Sequence, residues 1–129
     1  MAETSLPSLA KVLIARGADV NREGWTPLHY AATKGHREMM RLLLENDAYI
    51  DSESGNGTTP LMMAAFSKSP LAVKLLLEEG ADPTLVNNGN ASALDIATSK
   101  DHQQGAFYIR AFIEAWFIQN PIKESDTSD

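Results

Sequence analysis

The chain has 129 residues, 43% of them apolar and 22% charged, which is enough to pack one domain and excludes a fully disordered polypeptide. It contains no cysteine, so disulfides, thiolate metal sites and a cysteine nucleophile are excluded. Seventeen acidic against eleven basic residues leave a net charge of −6 with the cations scattered, an arrangement unsuited to neutralising nucleic-acid phosphates.

In chain order, Met1 to Ser5 has neither the basic start nor the apolar run of a secretory signal. The compartment stays open, because a chain without cysteine suits reducing and oxidising surroundings alike. Leu6 to Arg16 predicts a helix over 7–16, closed by Gly17 and lacking a companion helix before it. At Thr26-Pro27 the threonine oxygen can cap a helix, and proline suits its first position because the missing N–H costs little there. That helix is expected over 27–34, with Leu28, Ala31 and Ala32 on one side. Met39, Met40, Leu42, Leu43 and Leu44 mark the buried side of the next, over 37–46, and Asp47 takes the left-handed position after it.

Asn56-Gly57 signals a hairpin turn. Thr59-Pro60 then opens a helix over 60–67 with Leu61, Ala64 and Ala65 inward, and 70–79 follows with Leu71, Val73, Leu75, Leu76 and Leu77 as its buried side, ended by Gly80. The last two helices are expected over 93–100 and 104–118. The final one contains the longest apolar stretch, Ala106 to Ile118, but Arg110 and Glu114 interrupt it, so no membrane span is expected. Residues 119–129 have little to bury and are net acidic, which predicts a loose tail.

Two phrases recur along the chain. Gly24-Trp25-Thr26-Pro27-Leu28-His29-Tyr30-Ala31-Ala32 returns as Gly57-Thr58-Thr59-Pro60-Leu61-Met62-Met63-Ala64-Ala65 and, weakened, as Asn90-Ala91-Ser92-Ala93-Leu94-Asp95-Ile96-Ala97, at intervals of 33 residues. Interleaved with it are Leu13-Ile14-Ala15-Arg16-Gly17-Ala18-Asp19, Leu43-Leu44-Glu45-Asn46-Asp47-Ala48-Tyr49 and Leu76-Leu77-Glu78-Glu79-Gly80-Ala81-Asp82. In these phrases the chain resembles the ankyrin-repeat family, and in finer wording short bacterial ankyrin proteins. The resemblance implies an all-α solenoid of helix-turn-helix units with short hairpin fingers and an N-terminal half repeat. The units would be an incomplete repeat over 1–21, repeats over 22–54 and 55–87, a divergent capping repeat over 88–118, and the tail.

The same resemblance assigns partner-contact positions to Trp25, Thr33, Lys34, Thr58, Phe66, Ser67, Ala91, Ser99 and Lys100, on a concave side formed by fingers and first helices. Trp25 and Phe66 are the expected anchors, since buried aromatics dominate interface energetics. It also gives His29 a structural role, a hydrogen bond to the adjoining loop. Four departures from the pattern stand out: a first finger three residues short, Ala93 and Asp95 in place of the proline and histidine, the half repeat at the start, and the apolar last helix. The ends could therefore be interfaces, with Leu9, Val12, Phe112 and Trp116 as candidates.

Convergent chemistry is thin. His36 and His102 occupy matching turns two repeats apart, too far to share a metal. Asp51 to Gly57 resembles a calcium loop only superficially, with Asn56 where glycine is needed and Met62 where the bidentate acid is needed. Gly55-Asn56-Gly57 lacks the third glycine and the preceding strand of a nucleotide site. No catalytic residue, metal or cofactor is expected. The function expected is a non-catalytic protein-interaction module acting through its concave face; the alternative is a homo-oligomer, or a piece of a larger array, assembling through its apolar ends.

Overall fold

Thr26, Thr59 and Ser92 each stop the extended backbone and start a helix. Each side-chain oxygen accepts the amide N–H of the third helical residue, His29, Met62 or Asp95, at 3.2–3.3 Å, satisfying a donor that the helix itself cannot. The computed structural model describes residues 24–120. The helices are α1 (Pro27–Lys34), α2 (Arg37–Glu45), α3 (Pro60–Phe66), α4 (Pro70–Glu78), α5 (Ala93–Ser99) and α6 (Gln103–Gln119). The helix expected over 7–16, with Leu9, Val12 and Gly17, lies outside the described residues, as does the tail beyond Asn120.

The helices pair as antiparallel hairpins, α1 with α2, α3 with α4 and α5 with α6, and the hairpins stack side by side. First helices pack α1 on α3 on α5, and second helices α2 on α4 on α6. Ala31, Ala32, Ala64, Ala65 and Ala97 are fully buried, and their small side chains let neighbouring helices approach closely. Leu28, Met40, Leu43, Leu61, Leu76 and Ile109 fill the space between the layers. Within each hairpin the chain reverses through one left-handed residue, Gly35 (φ 70°), Lys68 (φ 57°) or Asp101 (φ 58°). After the second helices Asp47 (φ 71°) and Gly80 (φ 105°) take the same conformation, as expected.

Two expectations need correction. Leu71 does not face inward: it is 48% exposed, and Ala72 joins Val73, Leu75, Leu76 and Leu77 on the buried side of α4, because at about 100° per residue Leu71 falls outside the arc those five share. Leu42 and Leu44 are only partly buried. The finger hairpin expected at Asn56-Gly57 is present, with its turn centred on Gly55-Asn56. Ser54 and Thr58 bracket a three-residue loop in which Gly57 N–H bonds the Ser54 carbonyl at 2.9 Å and Ser54 N–H the Thr58 carbonyl at 2.9 Å. Gly57 follows the turn in the left-handed region (φ 81°), the three-residue hairpin form.

The next finger repeats this arrangement between Asn87 and Ala91, with Asn90 left-handed and Val86 bridged to Ser92. The two fingers touch. Asn88 N–H donates to the Asn56 carbonyl at 2.9 Å, and a Cβ on Gly57 would lie 2.8 Å from Asn88 Oδ1 and 3.2 Å from Asn87 Cα. A larger residue there would push the fingers apart.

The last helix departs most from the repeat. α6 has 17 residues where α2 and α4 have nine, and it runs past the end of α4. Gly105, Ala106 and Ile109 are buried, and Tyr108, Phe112 and Ile113 partly so. Phe107, Trp116, Phe117 and Ile118 remain exposed. Aromatic bulk closes the solenoid only in the first half of this helix. Beyond it, Phe112, Ile113 and Trp116 overhang Leu77, Ala81 and Pro83 across a groove of 480 Å³.

Candidate partner-binding surface

The finger–helix junction is organised by a buried imidazole. His29 Nδ1 accepts the Thr26 N–H at 3.1 Å, which makes Nε2 the protonated nitrogen. Nε2 donates to the Thr58 carbonyl at 2.7 Å, across to the next finger. Burial pushes the His29 pKa down from its ordinary value; the hydrogen bond to the Thr58 carbonyl opposes that shift. The role implied by the family pattern is the one the residue has here. In the second repeat Met62 stands in the same place, with the Thr59 N–H 3.5 Å from its sulfur, a much weaker acceptor.

Trp25 stacks on His29, ring centres 5.1 Å apart, and is still 49% exposed. Phe66, at the end of α3, is also 49% exposed, and Lys100 Nζ from the next repeat sits 4.3 Å from its ring centre. Lys34 lies 5.9 Å from the ring centre of Tyr30. Lys34, Ser99 and Lys100 are exposed. Thr33 is half-buried and its hydroxyl donates to the His29 carbonyl at 2.8 Å. Ser67 caps α3 and is half-buried. Ala91 is half-buried and held to Asn87 through both backbone groups.

Thr58 must be corrected. It is only 7% exposed, and its hydroxyl donates to Asn56 Oδ1 at 2.7 Å, so its side chain belongs to the inside of the finger rather than to a contact surface.

Tyr30 was missed at the level of sequence. It shares a repeat position with Met63 and Ile96, apolar in all three units, and is 42% exposed while Met63 and Ile96 are half-buried. The signal in the sequence is an apolar residue immediately before the alanine of each unit and two positions after its leucine, on the opposite side of the helix from it. Asp51 lies in the stretch that superficially resembles a calcium loop. It is half-buried and its Oδ1 accepts the Asp82 N–H at 3.1 Å, tying one unit to the next. Burial raises its pKa; the Asp82 N–H opposes this, and the Asp82 charge adds to it.

His102 starts α6, is buried, and has Nδ1 3.1 Å from the Ala65 carbonyl; His36, at the equivalent turn, is half-buried. Among the end candidates, Trp116 is exposed and Phe112 half-buried.

The family model for ankyrin repeats (three copies) matches residues 1–54 and 48–114. The chain belongs to the ankyrin-repeat family. It is 34% identical over 106 residues to the ankyrin repeat and KH domain-containing protein mask-1 of Caenorhabditis elegans, a match covering 78% of this chain and 4% of that protein. Over 88 residues it is 43% identical to the mouse nuclear factor NF-kappa-B p105 subunit, covering 64% of this chain and 9% of the subunit. An ankyrin repeat protein of Rickettsia bellii is 46% identical over 61 residues, 46% of this chain and 26% of that protein. The chain thus spans a small fraction of the length of these relatives. Ankyrin repeats generally serve as protein–protein interaction modules, and proteins built from them are typically non-catalytic.

Proposed function

We propose that this ankyrin chain is a non-catalytic interaction module that grips a folded partner through the concave side made by its first helices and fingers. Trp25, Tyr30 and Phe66 are its anchors, Lys34 and Lys100 its flanking cations, and Thr33, Ser67, Ala91 and Ser99 fill the surface between. The observation that carries this reading is a pair of aromatic rings, Trp25 and Phe66, each 49% exposed at positions the core does not use. Both are held in place from behind or beside, by His29 and Lys100. Anchors already ordered in the free protein lose little entropy on binding. Two lysines at the edge of aromatic surface suit a partner with carboxylates around an apolar knob, on a chain otherwise net acidic. The repeat boundaries 22–54, 55–87 and 88–118 are part of the same proposal.

Capture from a lysate of the source cells with wild type and with the Trp25→Ala/Phe66→Ala variant tests it, provided circular dichroism shows both folded. The partner retained by wild type is expected to bind the variant about 30-fold or more weakly, the loss of at least one hot spot of ~2 kcal/mol. Equal retention of the same partner would move the site elsewhere.

A further inference from the structure

Only one side of α6 meets α4 and α5. The other side carries Phe107, Ala111, Glu114 and Ile118, with Arg110 at its edge beside Thr98 and Asp101; the five, at spacings of three, four, seven and eleven from the first, line up as one stripe along the helix. All five are exposed, Phe107 by 63% and Ile118 by 78%. Among the described residues neither Arg110 nor Glu114 takes part in an ion pair. Base before acid at this spacing is also the weaker order for a pair within one helix. The charges are therefore poorly explained as helix stabilisers.

The stripe is its own complement when reversed: large apolar, base, small, acid, large apolar. At 1.5 Å per residue, Phe107 and Ile118 stand about 8 Å on either side of a midpoint between residues 112 and 113. Arg110 and Glu114 stand about 4 and about 2 Å on either side of it. A second copy turned by a two-fold axis through that midpoint sets Phe107 against Ile118 of the second copy, and Arg110 beside Glu114 of the second copy. Each contact is then made twice, as a closed isologous interface requires, and Ala111, level with Glu114 of the second copy, leaves room for that side chain to reach Arg110.

We propose that two copies of this chain pair through an antiparallel α6–α6 contact along this stripe. The pairing is independent of the concave-face reading, since it uses the end of the array. It also gives a use to the length of α6, whose second half extends past α4, and it removes exposed apolar surface that would cost solubility. A single helix pair is a small interface, so the dimer dissociates on dilution.

Sedimentation of the full chain across low to high micromolar concentration reads the outcome. Wild type is expected to shift from monomer to dimer. Arg110→Glu and Glu114→Arg, which set like charges together twice, are each expected to weaken the dimer about tenfold or more. Combining them restores it, because the exchange regenerates the complement. Surface positions leave the fold unchanged, and thermal melts of each variant check that.

The chain's lack of cysteine permits a geometric arm. Phe107→Cys mixed with a mass-tagged Ile118→Cys is expected to yield a disulfide-linked mixed pair on mild oxidation, and neither variant alone to link efficiently. A monomer at every concentration, a dimer indifferent to the charge reversals, or self-linking of the single variants in preference to the mixture would each overturn the proposal.

Discussion

His29 shows how much one side chain can organise when both of its ring nitrogens are spent. Its Nδ1 closes the start of α1 and its Nε2 reaches the next finger, leaving no room for a second proton without breaking a bond. Because burial holds its folded pKa below the ordinary value, the unfolded chain takes up the proton first. Stability is therefore full above about pH 6.5 and falls as the pH drops from there through the folded pKa. Thermal melts between pH 7.5 and 5 are expected to show this fall in wild type. His29→Gln should start lower and show a shallower slope; an unchanged slope would mean that other groups carry it. Leu28→Ala and Leu61→Ala remove fully buried side chains and are expected to cost about 2–4 kcal/mol each. Lys34→Ala, at an exposed position, should cost less than about 0.5 kcal/mol. Equal effects in denaturant melts would contradict the assignment of the inward side. The cap, the leucine and the histidine were readable because each acts on residues within one repeat phrase. Tyr30 and Asp51 were not, since exposure of the first and burial of the second depend on neighbouring units.

Helix starts agree with expectation wherever Thr-Pro or Ser stands before them, since a capping oxygen acts within three residues of its own position. Helix ends and connecting turns depend on backbone handedness, which Lys68 and Asp101 adopt without being glycine. Gly35 occupies the same place in the first hairpin, so the geometry is imposed by the stack rather than by the local residue. Lys68→Gly is expected to stabilise by about 0.5–1 kcal/mol, relief of left-handed strain exceeding the entropy cost of glycine; a lower denaturation midpoint would refute it. Gly105→Ala should go the other way. Alanine favours a helix by about 1 kcal/mol, but its Cβ would lie 2.5 Å from the His102 ring. That ring is buried and hydrogen-bonded to Ala65, so it cannot swing away freely, and overpacking of about 1–3 kcal/mol makes the variant less stable. The length of α6 was nearly right from the apolar run, but which of its sides lay against α4 was not legible, because apolar residues occur all round it.

A stack in which each hairpin leans on the next has uneven stability. α3 and α4 have neighbours on both sides, whereas the second half of α6 overhangs the end of the array. Native-state hydrogen exchange is expected to be slowest at Leu61–Ala65 and Val73–Leu77 and fastest, among helical amides, after Phe112; uniform protection across α3 to α6 would argue for a globular rather than a stacked core. The repeat period by itself determined the family, the all-helical class and the order of the helices, because a unit that cannot bury its own apolar side must place it against a copy of itself. Spacing also placed most of the core leucines and alanines, since it matches one turn of helix. Only the tertiary structure decided which residues at contact positions are accessible. Thr58 is drawn into its finger by Asn56, Tyr30 is left outside, and Phe66 is capped by a lysine 34 residues later in the chain. Those outcomes turn on side chains in which the repeats differ from one another, and a pattern defined by what the repeats share carries no record of them.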